Sequence, residues 1–291
     1  MSSAAESAEI EKREHADPHA LAVIEPARGW SFPSFRELWA YRDLMYFLTR
    51  RDIAARYKQT AVGALWALIQ PLGLALAFTV FLGVLAGRPK FDGVEFPVFA
   101  LTGMTLWLFL SSAVARGASS TLDNSALIEN VFFPRLIIPL AAAIAPVVDF
   151  AVAFVVLVVV MLAFGVEPSA AIVFTPLIVV LGFVTAIGLV LWLSALTVKY
   201  HDVQHLVPFM TLMLVFISPV VYPLSEVPEG LQPIYALNPM TAVLEGFRWC
   251  MLPNAEPPGL LLLIPVATSA LLLLTGLLYF HRREREFADV I

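Results

Sequence analysis

Asp149 is the one Asp, Glu, Lys or Arg inside the six long apolar stretches of this chain. A charge at the centre of a bilayer costs about 2.5–3.5 kcal/mol on insertion scales, so an acid at that depth is usually functional. A proton relay normally needs a second acid, base or histidine within the membrane, and the six stretches contain none. We therefore favour a structural carboxyl that is bonded to Ser or Thr of a neighbouring helix, and a functional role stays open.

Motifs of soluble enzymes do not occur in this sequence. It contains no G-x-x-x-x-G-K-[ST] phosphate loop, no G-x-S-x-G elbow and no H-E-x-x-H pair. The five histidines fall in terminal arms or loops, and Cys250 is the single cysteine. We therefore predict no catalytic residue, metal ligand or cofactor-binding residue in this chain. Nucleic acid is not an expected partner either, because no cationic stripe with interleaved aromatics is present.

The composition places most of the chain in a membrane. Of 291 residues, 59% are hydrophobic and 14% are charged, against about 25% charged in a typical soluble domain. A helix crosses a bilayer core with roughly 20 apolar residues, and its backbone amides are satisfied within the segment. We predict an all-α integral membrane protein with six transmembrane helices. The six stretches are Ala64–Gly87, Phe96–Ala115, Ile137–Gly165, Ala170–Val198, Leu206–Leu224 and Leu260–Phe280.

The basic residues lie mainly on one side of these spans. Fifteen of the eighteen Lys and Arg residues lie on one side of the spans. They are found before span one, in the loop between spans two and three, in the loop between spans four and five, and after span six. The exceptions are Arg88, Lys90 and Arg248. Cationic loops remain in the cytoplasm. We therefore expect a multi-pass protein of the cytoplasmic (inner) membrane with both termini in the cytoplasm.

The chain divides into three segments. Residues 1–33 are polar and acidic, which is typical of a disordered cytoplasmic arm. Residues 34–58 form an amphipathic interface helix that is too charged to cross a bilayer and whose arginines suit lipid phosphates. Residues 59–291 form the six-helix transmembrane domain. The apolar face of the interface helix consists of Leu38, Tyr41, Met45 and Leu48, opposite a charged face of Arg36, Asp43 and Arg50.

The loop between spans two and three is larger than a simple connection requires. Capping residues begin at Ser119 and Ser120, and they predict a short helix over residues 125–132 that ends before Pro134. The aromatic pair Phe132 and Phe133 is then exposed unless another surface covers it.

The connection between spans five and six is also unusual. Several prolines interrupt it, and Asn238-Pro239 marks a turn before a helical apolar stripe. Glu245 and Arg248 lie three residues apart on the polar side of that helix and can pair. We expect short re-entrant or surface-lying helices here, because the segment is apolar but too short to cross a bilayer.

Five segments in a fixed order resemble a known family. The chain resembles the permeases of ABC-2 type transporters, more narrowly the polysaccharide-export branch that includes O-antigen, capsule and teichoic-acid exporters. The resemblance covers the chain from about Phe35 to its end, while the acidic arm before Arg28 does not match the family pattern. The segments are Arg51–Trp66 continuing to Pro71, Asn130–Arg135, Ser218–Pro223, Leu237–Thr241 with Glu245–Arg248, and Phe287–Ile291.

The resemblance implies a transporter permease and not an enzyme. Members of the family form homodimers and pair with two copies of a separate nucleotide-binding ABC ATPase subunit, so ATP and Mg²⁺ belong to the partner chain. The family also has a cytoplasmic coupling helix between spans two and three, which corresponds to about Asp123–Phe132. The expected ATPase-coupling residues are Asp123, Asn124, Leu127, Glu129, Phe132 and Phe133.

The resemblance further implies a polysaccharide cargo on an isoprenoid diphosphate lipid. Arg56, Tyr57 and Lys58 are expected to meet the lipid diphosphate. Mouth helices over Val227–Leu252 act as an extracytoplasmic gate that includes Glu245 and Arg248. Sugar C–H faces stack on aromatic rings, although each such ring can equally face lipid or pack between helices. The candidate channel aromatics are Trp66, Phe78, Phe81, Phe209, Phe216 and Tyr222.

Other functions stay open at this point. A drug or lipid exporter of the ABC-2 type has the same organisation. A membrane-embedded transferase that acts on lipid-linked sugars needs paired acids or a metal site, and the spans offer only Asp149. A non-catalytic scaffold is a third possibility, but it would not require the proline-interrupted segment between spans five and six.

Overall fold

Helices make up most of the chain that the structure describes. The computed structural model describes residues 35–58, 65–88, 90–91, 93–255, 257, 259, 263–284 and 287. The predicted acidic arm of residues 1–33 lies outside this part of the chain, as do residues 288–291 of the C-terminal motif.

Twelve α-helices and one short hairpin can be defined within the described residues. In chain order they are α1 (Phe35–Ala40), α2 (Arg42–Lys58), α3 (Trp66–Phe78, continued by a π-helical segment Thr79–Leu85), β1 (Lys90–Phe91), β2 (Val94–Glu95), α4 (Phe96–Asp123), α5 (Ser125–Asn130), α6 (Ile137–Ile144), α7 (Val147–Ala163), α8 (Thr175–Lys199, preceded by a 3₁₀ turn Ala170–Phe174), α9 (Val203–Ile217), α10 (Gln232–Ala236, preceded by a 3₁₀ turn Leu224–Glu226), α11 (Pro239–Met251) and α12 (Leu263–Arg283). The hairpin is antiparallel, with Lys90 opposite Glu95 and Phe91 opposite Val94.

Five helical segments among the described residues are long and apolar enough to cross a membrane. They are Trp66–Leu85, Phe96–Asp123, Ile137–Ala163, Ala170–Lys199 and Leu263–Arg283. The prediction of a mostly helical chain with several membrane-length helices is therefore confirmed, whereas the described residues contain five such segments and not the six predicted.

The fifth predicted span is shorter than its apolar stretch. Helix α9 has 15 residues and ends at Ile217, because Ser218 is extended and precedes Pro219. A residue before proline is disfavoured in helical conformation. Of the predicted span Leu206–Leu224, the last seven residues are therefore not part of α9.

Helix α4 extends farther than the sequence predicts. It continues through Ser119 and Ser120 to Asp123, so the prediction that these serines cap a new helix is wrong. The Ser120 hydroxyl instead donates to the Gly117 carbonyl at 2.7 Å, and the Thr121 and Ser194 hydroxyls share a hydrogen bond of 2.8 Å. The coupling helix is correspondingly short, because α5 covers only Ser125–Asn130.

The third predicted span is two helices and not one. Helix α6 ends at Ile144, and α7 begins at Val147 after Ala145 and Pro146. Proline removes a backbone donor and clashes with the preceding turn. The break places Asp149 in the first turn of α7, where the partial positive charge of a helix N-terminus favours a carboxylate.

Helix α4 forms the centre of the bundle. Its membrane-crossing window is 78% buried, against 17% for the first span and 22% for the last. Helices α3, α6, α7, α8, α9 and α11 all pack on it. An apolar helix that is buried on all sides fits the core of a bundle, while α3 and α12 leave long apolar faces exposed.

The N-terminal helices α1 and α2 pack on the bundle through one face. Leu38, Tyr41, Met45 and Leu48 contact a cluster formed by α5, the segment after it and α6. The charged face predicted opposite them is exposed. The cluster comprises Ile128, Phe133, Ile137, Ile138 and Ala141.

The end of the described chain is attached to the same end of the bundle. Phe287 is buried against Phe280, with ring centroids 5.3 Å apart. Arg135 donates a hydrogen bond to the carbonyl oxygen of Glu284. Phe287, the first residue of the predicted C-terminal motif, therefore packs near the segment that follows α5.

Helices α8 and α12 approach closely at two glycines. A Cβ added to Gly188 would lie 2.8 Å from the backbone nitrogen of Leu273, and one added to Gly276 would lie 2.6 Å from the Gly188 carbonyl oxygen. Small residues at such crossings let membrane helices pack backbone to backbone. The hydroxyls of Thr185 and Ser269 share a hydrogen bond of 2.8 Å across the same pair of helices.

We expect Gly188→Ala to destabilise the protein because its methyl group meets backbone that cannot move without separating α8 from α12. Overpacking of this kind costs about 1–3 kcal/mol. Thermal unfolding of the detergent-purified protein measures the effect. Gly73→Ala is the matched control, since a Cβ at Gly73 has no neighbour within 4 Å; equal melting temperatures of the two variants would contradict the close crossing.

Candidate functional site

Asp149 binds two residues of α2. The guanidinium of Arg56 and the hydroxyl of Tyr57 both donate to its carboxylate. The ion pair is largely buried, with side-chain exposures of 23% for Arg56 and 15% for Asp149. The expectation of a Ser or Thr partner is therefore wrong, because the break at Pro146 brings Asp149 to the end of the bundle where α2 lies.

A second cation and a neutral phenol complete this cluster. Arg116 of α4 is close enough for its charge to interact with those of Arg56, Asp149 and Asp52. Burial, followed by the hydrogen bond to Asp149, raises the pKa of Tyr57 to about 12. Tyr57 is consequently a neutral hydrogen-bond donor at physiological pH. The guanidiniums of Arg56 and Arg116 therefore both lie near the Asp149 carboxylate.

The predicted diphosphate-binding residues are only partly brought together. Arg56 and Tyr57 turn toward Asp149, whereas Lys58 is exposed. Asp149 and Arg116 are members of this cluster that the sequence did not assign to it. A buried carboxylate needs a cation nearby, so a lone acid in an apolar span predicts a basic partner. The sequence does not show which residue that partner is, because Arg56 and Asp149 are more than 90 residues apart.

The predicted ATPase-coupling residues separate into two groups. Phe132 is 77% exposed, and Asp123 and Glu129 are also on the surface. Phe133 is only 5% exposed and packs with Leu127 in the cluster beneath α2. The aromatic pair is therefore covered only in part, because the ring of Phe133 packs with residues of α2 and α6 while Phe132 stays exposed.

Asn124 connects α5, the predicted coupling helix, to α2. Its side-chain oxygen accepts a hydrogen bond of 2.8 Å from Arg51, and its side-chain nitrogen donates to the Ser120 carbonyl at 2.7 Å. Asn124 is thus the residue between α4 and α5 and also a contact of α2. This hydrogen bond therefore links α2 to the junction between α4 and α5.

Glu245 and Arg248 hold the opposite end of the bundle together. Arg248 donates to Glu245 and to the Val220 carbonyl, each at 2.7 Å, and its guanidinium lies 4.2 Å from the ring centroid of Phe99. The Leu224 amide donates to the same Glu245 oxygen at 3.3 Å. The predicted pairing is present, and it attaches α11 to α4 and to the extended segment after α9.

That extended segment passes directly over α4. A Cβ at Gly103 would overlap the carbonyl of Val220, so only glycine permits this approach. The Asn238 side chain donates to the Ser218 hydroxyl at 2.8 Å and caps α11 by accepting from the Met240 amide. The turn predicted at Asn238-Pro239 is therefore also a contact with the end of α9.

The hydroxyl group of Tyr222 is hydrogen-bonded within the protein at this end of the bundle. Its hydroxyl donates to the Phe216 carbonyl at 2.8 Å and is 3.1 Å from the Tyr235 hydroxyl. Burial and the bond to Tyr235 raise the pKa of Tyr222 above its ordinary value. The other candidate aromatics lie on α3, its π-helical continuation and α9. Phe78 and Phe216 are in contact, with centroids 6.4 Å apart, while Trp66, Phe81 and Phe209 are exposed.

We expect Glu245→Gln to lower thermal stability substantially, because it removes a negative charge beside a guanidinium that is only 1% exposed. Loss of one member of a buried pair costs about 3–5 kcal/mol, and the partial exposure of Glu245 reduces this figure. Glu226→Gln is the matched control, since its pair with Arg88 is exposed on both sides. Similar melting temperatures for the two variants would show that the buried pair has no structural importance.

Comparisons with known proteins agree with this architecture. The chain is 29% identical over 262 residues to the O-antigen export system permease protein RfbA of Myxococcus xanthus, covering 88% of this chain and 98% of that protein. It is 26% identical to the protein of the same name from Klebsiella pneumoniae, covering 86% and 95%. It is also 26% identical to the polysialic acid transport protein KpsM of Escherichia coli, covering 80% and 91%. The family model for ABC-2 type transporters matches residues 43–252, so the chain belongs to the ABC-2 type transporter family.

Proposed function

We propose that this chain is the permease subunit of an exporter that moves a lipid-linked polysaccharide out across the cytoplasmic membrane. The similarity to an O-antigen export permease over 98% of that protein carries the proposal. A polysialic acid transport protein is similar over 91% of its length, which extends the argument from one polymer to polysaccharides as a class. The free energy for transport comes from a separate ABC ATPase that binds ATP and Mg²⁺.

The α2–α5 end of the bundle faces the cytoplasm in this proposal. Arg50, Arg51, Arg116 and Arg135 lie at that end, and the positive-inside rule favours this orientation. Six crossings then place both termini in the cytoplasm. Helix α9 contributes the fifth crossing although its 15 residues are short, because the extended segment that follows it continues toward the opposite surface.

A second copy of the chain completes the translocation path. Helices α3 and α9 expose apolar faces that the bundle itself does not cover. In a homodimer these faces line or flank a path between the two copies, and their rings supply the flat surfaces on which sugars stack. Channel residues of this kind include Trp66, Phe78, Phe81, Phe209 and Phe216.

Two ATPase subunits dock on the α5 surface, one on each copy. Phe132 is the exposed anchor, and Asp123 and Glu129 form its polar rim, which is the usual arrangement of an interface hot spot. Leu127 and Phe133 support this surface from below. Closure of the ATPase moves α5, and the Arg51–Asn124 bond transmits the movement to α2.

The substrate path has a polar element at each end. Arg56, Tyr57 and Lys58 receive the diphosphate of the lipid carrier at the cytoplasmic end. Glu245 and Arg248 hold α11 against the segment after α9, and this assembly forms the extracytoplasmic gate. The gate opens when the two copies separate and closes again when the buried ion pair returns to its place.

Co-expression with the ABC ATPase encoded nearest to this gene tests the proposed assembly. We expect a stable complex with two copies of each chain by native mass spectrometry. Deletion of the permease gene is expected to remove the long polysaccharide from the cell surface and leave lipid-linked polymer inside. A permease that purifies alone and transfers lipid-linked sugar by itself would contradict the proposal, and export of only small drugs or lipids would reassign the cargo.

Phe132→Asp is expected to abolish ATPase capture, about 100-fold in affinity, because it places a charge at the centre of the docking surface. Phe132→Leu retains the apolar contact and serves as the matched control. Affinity capture of the ATPase by tagged permease measures the effect, with permease abundance and melting temperature recorded in parallel. Normal capture by a folded Phe132→Asp variant would remove α5 as the docking helix.

A further inference from the structure

A small cleft with both polar and apolar walls lies beside the Arg56–Asp149 ion pair, between α3, α4 and α7. Its polar lining is supplied by Gln70 of α3, by Thr105 and Ser112 of α4, and by the ion pair itself. The apolar walls include Pro71, Phe109, Pro146 and Phe150. The cleft is therefore formed by three helices of the bundle and is bounded by α2 through Arg56.

Thr105 gives this cleft an unused hydrogen-bonding group. Its Oγ1 is buried and has no hydrogen-bond partner among the described residues, and the whole residue is only 1% exposed. Buried hydroxyls in proteins nearly always have a partner. An oxygen-bearing ligand in the cleft satisfies this requirement, since the Thr105 hydroxyl can donate to it.

The charges around the cleft favour an anion. Arg56 and Arg116 both interact with the carboxylate of Asp149, Asp52 is a second carboxylate near Arg116, and Tyr57 adds a neutral donor to Asp149. Arg116 is partly buried and makes no hydrogen bond within the part of the chain that the structure describes. The Arg116 guanidinium therefore offers donors to an anion that enters beside Asp149.

The size of the cleft determines how an anion can enter. It has room for about one water molecule and not for a phosphate group. From within the cleft, a phosphate can therefore reach Arg56 and Tyr57 only by taking the place of the Asp149 carboxylate. Phosphate and carboxylate oxygens accept the same charge-assisted hydrogen bonds from a guanidinium.

We infer that Asp149 holds the place of a substrate phosphate on Arg56 and Tyr57, and that the diphosphate of a lipid carrier displaces it. This inference rests on the proposed export function and adds Asp149, Arg116 and Thr105 to the substrate site. Displacement also separates α7 from α2, because the ion pair is the polar link between them. Binding of the carrier thereby releases the N-terminal helix at the place where the ATPase acts on it.

Binding of farnesyl diphosphate to the purified full-length permease tests the inference, with farnesol and inorganic pyrophosphate as comparison ligands. We expect Asp149→Asn to tighten farnesyl diphosphate binding by about fivefold, because a neutral amide competes less well than a carboxylate for the Arg56 guanidinium. Arg56→Gln and Arg116→Gln are expected to weaken it by a similar factor. Asp43→Asn removes an equal charge from the exposed face of α2 and is expected to leave binding unchanged.

The direction of the change in farnesyl diphosphate affinity shows whether Asp149 competes with the ligand or only stabilises the bundle. If Asp149 only braces the bundle, Asp149→Asn and Arg56→Gln lower binding and melting temperature together, and the inference is overturned. Unchanged binding in Arg116→Gln, whose substitution leaves the ion pair intact, also overturns it. Equal affinity for inorganic pyrophosphate would assign the site to free diphosphates and reject the lipid carrier. The proposed export function fails separately, through unchanged surface polysaccharide in the deletion strain.

Discussion

A polar group inside a bilayer has to find its partner within the protein, and this constraint accounts for most of the polar contacts in the described bundle. Hydroxyls such as that of Thr102 bond back to a carbonyl of their own helix, and others pair across helices, as Thr121 does with Ser194. Charged groups collect at the two ends, where Asp149 and Arg248 each have an opposite charge beside them. The buried hydroxyl of Thr105 has no partner among the described residues, and for that reason we include Thr105 in the inferred ligand site.

The same constraint gives the two ends of the bundle different tasks. At one end the Arg56–Asp149 pair and the Arg51–Asn124 bond attach α2 to elements that we expect an ATPase to move. At the other end a buried arginine joins α11, α4 and the extended segment after α9. The central helix α4 is a continuous packed element that contacts both ends, and in the proposed function it connects the ATPase-docking surface with the gate.

Much of this architecture follows from the sequence, and the departures have local causes. Apolar length predicts the five long spans, and the spacing of Leu38, Tyr41, Met45 and Leu48 predicts the packed face of the N-terminal helices. The serines after Arg116 predict a helix start that is absent from the structure. Hydroxyl groups in an apolar helix can bond back to a carbonyl of the same helix as readily as they cap a new helix. The burial of Phe133 also depends on α2, which is remote in sequence. The Arg56–Asp149 pair has no local signal either, since its partners are brought together only by the break at Pro146.

The most direct measurement of the central claim is ATP-driven transport in vesicles. The permease and its ATPase are reconstituted with lipid-linked polysaccharide, and the polymer that becomes protected from an external glycosidase is measured over time. The account predicts that protected polymer accumulates only with hydrolysable ATP and only for polymer attached to a diphosphate lipid. Accumulation without ATP, or no accumulation by an intact complex that hydrolyses ATP, would contradict it.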